Sequence, residues 1–506
     1  MKRKADGSLQ IPLFRQKSGH GIKARNKRWN LIFMKTEQAL PRTGPQTREL
    51  HPSILREYDI RGTIGNTLKE EDCYFIGRAF GSMLRRHQNG KTAAVGYDGR
   101  ESSPVFAQNV ARGLNDSGVS VENIGLGPTP MAYFAMKSRG QDSAVIVTGS
   151  HSPLNYNGIK MAYKTGPFYG AMVQEIGKLA ANGDFENGAG KTTTVDVQDA
   201  YVDRLLKDYT GPKKLKISWD IGNGATGEII RRLVKKLPGE HKLLFDKIDG
   251  TFPNHHPDPT VAKNLVDLQK AVSDQGCDIG IGFDGDGDRI GAVDEKGNIL
   301  WADLLLALYA AEVLKTHPGA SVIADVKCSR VLFDEIARLG GNPVMWNTGH
   351  SLIKAKMQEL KAPLAGELAG HICFADKYYG FDDAPYCAIR LLNLLSHSGK
   401  KLSELTAHLP KMHNTPEVRF HVPAERKFQI APEIKERLRK VRAKDFELND
   451  IDGVRVTTLD GWWLMRPSNT EDVITIRAEG FTQEGLERLK HQLVIQLKES
   501  GVASPF

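Results

Sequence analysis

Three aspartates alternate with glycine in the segment Gly282-Phe283-Asp284-Gly285-Asp286-Gly287-Asp288-Arg289. Carboxylates this close repel each other and cost stability unless a cation neutralises them. A hard divalent ion with oxygen ligands, magnesium or calcium, is the simplest source of that charge. An arginine beside such an ion weakens its binding unless a phosphate contacts both of them. The pattern therefore predicts a metal loop that also holds a phosphate group.

A calcium-binding EF-hand is the alternative for this segment. The three aspartates occupy acidic positions of that loop, and Glu295 stands where its last acid would be. However, the position that must be glycine for the sharp turn is Arg289. The flanking segments 278–283 and 290–293 alternate like strands, whereas an EF-hand loop follows a helix. We therefore predict a loop between two strands.

A second polar segment, 148–160, places Ser150 directly after the apolar run 144–148. Loops at the carboxyl ends of strands are where open α/β folds bind their ligands. The structural alternative is a turn that is rich in Ser, Asn and Gly for geometric reasons alone. A serine hydrolase is disfavoured because the segment contains no G-x-S-x-G elbow.

The segment 222–227, Gly-Asn-Gly-Ala-Thr-Gly, matches the G-x-G-x-x-G pattern of dinucleotide-binding turns. It follows the strand pattern 216–220, and Asp246 lies where a ribose-binding acid is expected. An NAD-dependent oxidoreductase is therefore a second functional hypothesis. A tight strand-to-helix turn without a ligand is the structural alternative. Asp220 and Asn223 make the turn more polar than is usual for a dinucleotide site.

The composition is that of ordinary folded domains, with 506 residues, 40% of them hydrophobic and 25% charged. This length suits about three or four domains. No apolar run approaches the length of a membrane span, so we expect no membrane partner. The five cysteines have no paired spacing, which favours a reducing compartment and no zinc site. We therefore expect a cytoplasmic protein.

Most of the net charge of +9 lies at the N-terminus. Residues 1–33 carry nine basic side chains and one acidic one, a charge of +8, which leaves about +1 for the remainder. A basic leader is typical of a nucleic-acid arm or a targeting peptide. We expect residues 1–50 to be a basic, disordered extension; in the alternative, residues 1–33 precede the true start at Met34. The near-neutral body predicts no nucleic-acid binding.

From about Ser53 onward, short β-rich runs alternate with amphipathic helical patterns, which is typical of α/β domains. We predict domain I over 51–193 with the serine loop and domain II over 194–299 with the metal loop. Domain III is predicted over 300–411. The last segment, 412–506, is expected to form a smaller α+β domain IV.

Taken together, these segments resemble the α-D-phosphohexomutase superfamily, in particular its phosphomannomutase/phosphoglucomutase branch. Four loops carry the resemblance in the family's order: the serine loop 148–160, the metal loop 282–289, a sugar-binding loop 366–371 and a phosphate-binding loop 466–471. The segment Tyr58-Asp59-Ile60-Arg61-Gly62 matches the family's N-terminal signature. The resemblance implies three similar α/β domains with mixed sheets and a smaller C-terminal α+β domain around a central cleft.

The resemblance implies an enzyme that interconverts hexose 6-phosphate and hexose 1-phosphate, with mannose, glucose or both as the sugar. Ser150, as phosphoserine, would donate the phosphoryl group and complete a site for a single Mg²⁺ with Asp284, Asp286 and Asp288. A hexose 1,6-bisphosphate would be the intermediate and activator. Phosphoglucosamine mutase is the alternative within the family. We expect a monomer or a dimer.

The resemblance also implies roles for single residues. Arg61, Lys160 and Arg289 would lie at the reacting groups, and either His371 or Lys160 would take the proton of the attacking hydroxyl. The implied substrate-binding residues are Tyr58, Lys327, His350, Glu367, Ala369, His371, Arg466, Ser468, Asn469 and Thr470. Ala369 stands where this branch usually has serine, and the loss of a neutral hydrogen bond costs about 0.5–1.5 kcal/mol. We expect activity to survive, with an altered ratio of glucose to mannose turnover.

Overall fold

A computed structural model describes residues 46–440, 446–468 and 472–506. Residues 1–45, which include most of the predicted extension, lie outside the described residues, as do Asn469 and Thr470 of the phosphate-binding loop. Apart from Gln46, everything described belongs to one unit, Thr47–Phe506. Four sheets follow one another along this unit. Among the described helices, none is long and apolar enough to cross a membrane.

The first sheet has seven strands, and four helices cover it. Its elements are β1 (Ile60–Thr63), α1 (Glu70–Gln88), β2 (Thr92–Tyr97), α2 (Ser103–Asp116), β3 (Ser120–Leu126), α3 (Thr129–Ser138), β4 (Ser143–Val147), β5 (Tyr156–Tyr163), β6 (Gly166–Pro167), α4 (Ala171–Asn182) and β7 (Thr192–Thr194). The strand order is β1-β5-β4-β2-β3-β7, with β6 beside β5. Strands β2, β3, β4 and β7 are parallel, whereas β5 is antiparallel to β4 and β1.

Strand β4 is apolar after Ser143, as expected for a strand with both faces buried. Val145 and Val147 pack into a core with α1, α2 and α4. Ala144 and Ile146 point to the opposite face and pack into a core with α3. The strand therefore ends between two apolar cores, and Ser150 follows three residues later.

The second sheet has five strands in the order β12-β11-β10-β8-β9, of which β8, β9 and β10 are parallel. Its elements are α5 (Gln198–Leu206), β8 (Leu215–Asp220), α6 (Gly227–Val234), β9 (Gly239–Leu244), α7 (Val266–Gln275), β10 (Ile279–Phe283), β11 (Ile290–Asp294) and β12 (Ile299–Leu300). Strands β10 and β11 form an antiparallel hairpin, and the metal loop connects them. The carboxylate of Glu295 points elsewhere and accepts hydrogen bonds from Ser403. The predicted strand-loop-strand arrangement is therefore confirmed. The segment is not an EF-hand, because strands rather than helices flank the loop.

The third sheet has four strands in the order β14-β13-β15-β16. Its elements are α8 (Ala302–Thr316), β13 (Ser321–Asp325), α9 (Arg330–Arg338), β14 (Asn342–Trp346), α10 (His350–Leu360), β15 (Leu364–Gly366), β16 (Ile372–Phe374), α11 (Ala384–Ser398) and α12 (Leu402–Leu405). Strands β14, β13 and β15 are parallel, whereas β15 and β16 form an antiparallel hairpin. The sugar-binding loop connects the two strands of that hairpin.

The fourth sheet has six strands, and all of its pairs are antiparallel. Its elements are β17 (His413–Asn414), β18 (Val418–His421), α13 (Ala424–Lys427), α14 (Ile430–Lys440), β19 (Phe446–Asn449), β20 (Val454–Thr458), β21 (Gly461–Pro467), β22 (Val473–Gly480) and α15 (Gln483–Glu499). The order is β17-β22-β21-β20-β19, with β18 beside β22. Arg466 lies at the end of β21, where the phosphate-binding loop begins.

One apolar core runs through the first three sheets, whereas the fourth sheet and its helices enclose a core of their own. Three mixed α/β sheets followed by an antiparallel α+β unit confirm the predicted fold class. We keep the names domain I to domain IV for these four parts.

Candidate active site

Ser150 lies three residues after the end of β4 and has a strained backbone conformation. Its φ of 48° falls in the left-handed region, which residues other than glycine rarely adopt. The Ser150 amide donates to Thr148 Oγ1 at 2.8 Å, and Ser150 Oγ donates to Asp284 Oδ2 at 2.7 Å. The hydrogen bond to Asp284 therefore connects the serine loop of domain I to the metal loop of domain II. Ser150 is buried there, with 2% of its surface exposed.

Two residues that sequence reasoning missed hold the serine loop in place. Asp98 accepts hydrogen bonds from Thr148 Oγ1 and from the amide of Gly149, both at 2.9 Å. The buried guanidinium of Arg100 donates to four carbonyls of the loop, those of Ser150, Ser152, Pro153 and Tyr156. Only one feature of the local sequence could have indicated these two residues: they lie in a polar segment at the carboxyl end of β2, and ligand-binding loops occur at such strand ends.

The metal loop brings Asp284, Asp286 and Asp288 together in the interior. Their ligand oxygens lie within 4.8 Å of one another, and all three residues are buried. Burial and the two neighbouring carboxylates raise the pKa of Asp284 well above its usual range. Among the described residues, Asp286 Oδ1 and Asp288 Oδ1 lack a hydrogen-bond partner. Buried oxygens of like charge without donors fit a hard divalent cation.

An ammonium group and a hydroxyl group of domain I also contact the metal loop. Lys160 Nζ donates to Asp286 Oδ2 at 2.8 Å and also to Asp288 Oδ2. Thr129 Oγ1 donates to the same oxygen of Asp286 at 2.5 Å. Gly285 is required here because a Cβ at this position would lie 2.5 Å from the carbonyl oxygen of Ser150. The metal and serine loops can therefore approach each other only through a glycine.

Two arginines border this centre. Arg61 donates through Nη1 to Ser152 Oγ at 2.6 Å and is paired with Asp59. Arg289 donates through Nε to His371 Nε2 at 3.0 Å. The predicted catalytic residues are thereby brought together, because His371 Nδ1 also lies 3.6 Å from Asp288.

The predicted sugar-binding residues lie beside this centre, in domains I and III. Glu367 is buried, and its Oε1 accepts a hydrogen bond from the Gly349 amide at 2.6 Å. Burial raises the pKa of Glu367 above its usual range. Tyr58 donates to the carbonyl of Thr348 at 2.8 Å, and its ring meets that of His350 edge-on, with centroids 6.1 Å apart.

Ala369 is half-buried in the same loop as Glu367 and His371. The loop closes through backbone hydrogen bonds, from the Glu367 amide to the His371 carbonyl at 2.8 Å and from the Gly370 amide to the Glu367 carbonyl at 3.0 Å. A side chain at position 369 therefore stands on a tight turn between the two groups predicted to contact the sugar.

Acidic residues of domain IV contact two of the predicted substrate-binding residues, Arg466 and Lys327. Arg466 donates through Nε to Asp452 Oδ2 at 2.9 Å, and the same oxygen accepts from the Thr348 amide at 2.9 Å. Lys327 of domain III is 4% exposed, and its Nζ lies 3.1 Å from Glu417 of domain IV. Asp452 and Glu417 were not predicted, because an isolated acidic residue in the sequence does not indicate which distant basic residue it will contact.

Ser468, also predicted to bind substrate, lies just past the end of β21. Its amide donates to the carbonyl of Val473 at 2.9 Å, which starts the hairpin turn. The side chain is buried at 8% exposure. The remaining loop residues, Asn469 and Thr470, lie outside the described residues.

The G-x-G-x-x-G turn supports the metal loop. The Ala225 amide donates to the carbonyl of Gly285 at 2.9 Å. Asp246, the acid predicted to bind a ribose under the oxidoreductase hypothesis, is instead paired with Arg231 at 2.5 Å. Close packing against the metal loop explains Gly224, because a Cβ at this position would lie 3.0 Å from the carbonyl oxygen of Gly285. Gly222 has a positive φ, and a Cβ at Gly227 would lie 2.3 Å from the carbonyl oxygen of Asp246.

Comparisons with known proteins agree with this geometry. Models of phosphoglucomutase/phosphomannomutase domains match in order, alpha/beta/alpha domain I at 52–187, II at 199–297, III at 301–413 and the C-terminal domain at 417–496. A phosphomannomutase/phosphoglucomutase of Pseudomonas syringae pv. tomato is 42% identical over 450 residues, which cover 89% of this chain and 96% of the relative. A phosphoglucomutase of Neisseria gonorrhoeae is 40% identical over 442 residues, covering 87% and 95% respectively.

A solved structure shows the same similarity in three dimensions. The crystal structure of a phosphoglucomutase/phosphomannomutase family protein from Burkholderia thailandensis matches with a TM-score of 0.84 and 41% identity. The match covers 90% of this chain and 99% of that protein. With all four domain models in order and relatives of 40% and 42% identity over almost their whole length, this chain belongs to the phosphoglucomutase/phosphomannomutase family.

Proposed function

We propose that this chain is a phosphohexomutase that interconverts hexose 6-phosphate and hexose 1-phosphate, with mannose and glucose as the sugars. The observation that carries the proposal is the 2.7 Å hydrogen bond from Ser150 Oγ to Asp284. It places a nucleophilic hydroxyl, held in a strained turn, directly against three buried carboxylates. Such an arrangement suits a phosphoserine whose phosphoryl oxygens share a cation with those acids.

The three aspartates would hold one Mg²⁺ together with an oxygen of the Ser150 phosphoryl group. Their partnerless oxygens and their burial support this assignment. When bound, the ion neutralises charge on the transferring phosphoryl group. Arg289 and Arg61, which border the centre, would add fixed positive charge beside that group.

In the first half-reaction, the free hydroxyl of the sugar attacks phosphorus. A P–O bond to the sugar forms, the P–O bond to Ser150 breaks, and the hydroxyl proton goes to a base. We assign the base to His371, because its Nε2 already acts as a hydrogen-bond acceptor for Arg289. Lys160 donates to two carboxylates in this geometry and serves to position them. When Arg289 turns toward a phosphoryl group, Nε2 becomes available to the hydroxyl.

The hexose 1,6-bisphosphate formed in this way must turn around in the cleft before the second half-reaction. Its other phosphate then returns to Ser150, so the same side chains serve both steps in opposite directions. An added hexose 1,6-bisphosphate would act as activator, since it can phosphorylate an enzyme that has lost its phosphoryl group.

The remaining predicted residues would bind the ends of the sugar phosphate. Arg466 and Ser468, with Asn469 and Thr470, would hold the phosphate that is not reacting. Glu367 would accept hydrogen bonds from O3 and O4 of the hexose. Because glucose and mannose differ only at C2, a site that contacts O3 and O4 admits both. Tyr58, His350 and Lys327 complete the proposed wall of the site.

The decisive test replaces the nucleophile. Ser150→Ala should lose turnover of glucose 1-phosphate and mannose 1-phosphate in a coupled assay with Mg²⁺ and glucose 1,6-bisphosphate. It should also fail to gain the phosphoryl mass that the wild-type chain gains from the bisphosphate. Ser138→Ala is the matched control, because Ser138 only donates to a carbonyl of its own helix α3. Substantial activity of Ser150→Ala would overturn the proposal.

The same assay separates the alternatives. Turnover of glucosamine 1-phosphate well above that of the two hexose phosphates would favour a phosphoglucosamine mutase. Saturable binding of NADH, followed by its fluorescence, would favour the oxidoreductase hypothesis for residues 222–227. Binding of NADH is not expected, because the acid that would bind the ribose is already paired with an arginine.

A further inference from the structure

We propose that Asp382 and Lys354, which lie in none of the predicted loops, are positioning residues that fix the tautomer and orientation of the His371 ring. The inference rests on the proposed function, since the state of this ring matters only if His371 accepts the substrate proton. Asp382 precedes helix α11, and Lys354 lies in helix α10. Both residues are buried.

The two nitrogens of His371 have different neighbours. Arg289 donates a hydrogen bond to Nε2 at 3.0 Å, so Nε2 carries a lone pair. The proton of the neutral ring then belongs on Nδ1, which lies 2.9 Å from Asp382 Oδ2. An N–H on Nδ1 and a lone pair on Nε2 is the tautomer that a base acting through Nε2 requires.

His371 Nδ1 and Asp382 Oδ2 have a further property in common. Within the part of the chain that the structure describes, both are buried atoms without an aligned hydrogen-bond partner. A buried donor and acceptor left unpaired are costly, and these two face each other within hydrogen-bond distance. A hydrogen bond between them would satisfy both atoms at once. We therefore assign each atom as the partner of the other.

Lys354 holds the carboxylate that faces the ring. Its Nζ donates to Asp382 Oδ1 at 2.8 Å, which leaves Oδ2 to His371. The ammonium group also lies 4.9 Å from the centre of the Tyr133 ring, so it is fixed from two sides. Removing this lysine would leave a buried carboxylate without its cation.

Helix α10 provides a second support for the imidazole. His350, one turn before Lys354, stacks on His371 with ring centroids 5.1 Å apart and an interplanar angle of 27°. The ring of His371 is thus bounded by Arg289 at Nε2, by Asp382 at Nδ1 and by His350 on one face. The orientation of the proposed base is set by domains II and III together.

A second metal ion is the other chemistry that this group would fit. The ligand atoms of Asp288, His371 and Asp382 lie within 4.8 Å of one another. However, each of the two carboxylates already contacts an ammonium group, Lys160 for Asp288 and Lys354 for Asp382. With both charges compensated, a hydrogen bond from a neutral ring accounts for the geometry better than a second cation does.

The test compares Asp382→Asn with Asp383→Asn in the full chain. Asp383 is the adjacent residue and equally buried, but it contacts tyrosines rather than the site. We expect Asp382→Asn to lower kcat by about 100- to 1,000-fold, which lies within the roughly 100- to 10,000-fold that general acid–base catalysis contributes, while KM changes little. Asp383→Asn should keep kcat. Lys354→Met should lower kcat as well. Asp382→Glu, which keeps a carboxylate, should have a higher kcat than Asp382→Asn.

A spectroscopic measurement separates positioning from misfolding. In chains with ¹⁵N-labelled histidine, wild-type His371, assigned by its loss in His371→Gln, should show the Nδ1–H tautomer. Asp382→Asn should shift it toward Nε2–H or a mixture. An unchanged kcat, or an unchanged tautomer in Asp382→Asn, would overturn the inference. Absence of wild-type turnover would instead overturn the proposed function, while the tautomer measurement would still test the contact.

Discussion

Lys160 Nζ donates to Asp286 Oδ2 at 2.8 Å, so an ammonium group lies directly against the carboxylates proposed to hold a metal ion. The second contact of this lysine, with Asp288, joins domain I to the same loop. Part of the negative charge of the metal loop is therefore neutralised by the chain itself. Burial opposes the charged form of Lys160, but the two aspartates hold its pKa well above its usual range.

Metal removal should consequently abolish activity without unfolding the protein. We expect treatment with EDTA to lower turnover by at least about 100-fold, because charge on the transferring phosphoryl group is no longer neutralised. The melting temperature should change by only a few degrees, and added Mg²⁺ should restore activity. The measurements are a coupled mutase assay and thermal unfolding on the same sample. Cooperative unfolding on chelation would contradict this expectation.

Asp452 should strengthen the binding of the sugar phosphate, because it orients the Arg466 guanidinium. Asp452→Asn removes the charged acceptor that holds the guanidinium, and a hydrogen bond between charged groups is worth about 1.5–3 kcal/mol. We expect KM for the sugar phosphates to rise by about tenfold, with a smaller change in kcat. Asp460→Asn is the control in the same domain, since Asp460 pairs with the exposed Arg488. An equal effect of both substitutions would argue against a specific role.

Position 369 should influence the choice of sugar. Ala369→Ser adds a hydroxyl to the turn between Glu367 and His371, the two groups predicted to contact the sugar. One added hydrogen bond changes kcat/KM by up to about tenfold. We expect the ratio of mannose 1-phosphate to glucose 1-phosphate turnover to change, whereas the exposed control Ala407→Ser should leave it as it is. Identical ratios in both variants would remove this position from the set of specificity residues.

Asp383 should make stability depend on pH. Burial raises its pKa from 3.8 to about 7, although three donors oppose the shift. Below about pH 4 the carboxyl is protonated in both states. As pH rises from about 4 to 7, the unfolded chain releases this proton first, so the free energy of unfolding falls.

The variant Asp383→Asn isolates this contribution. It should flatten the fall in the free energy of unfolding between about pH 4 and pH 7 relative to the wild type. Urea unfolding at several pH values measures both curves. Parallel curves would show that Asp383 titrates normally in the folded protein.

The sequence by itself determined the chemistry of the site and the class of fold. Asp284, Asp286 and Asp288 stand in one short loop, so their spacing alone predicted a cation site, and Arg289 distinguished it from an EF-hand. The strand and helix patterns predicted α/β domains because apolar periodicity is a local property. The order of four loops predicted the family, which the comparisons confirm. The roles of individual side chains remain predictions.

Only the tertiary structure decided which residues support those loops. Asp98, Arg100, Asp382, Lys354 and Asp452 are single polar residues in segments without a motif. Each acts through a contact across a loop or a domain boundary, and a local pattern contains no information about such distances. The G-x-G-x-x-G turn is the opposite case, because its spacing in the sequence indicated a dinucleotide-binding site. Only the tertiary structure showed that the turn packs against Gly285 and supports the metal loop. Short-range chemistry is encoded in neighbouring residues, whereas orientation arises when distant segments pack together.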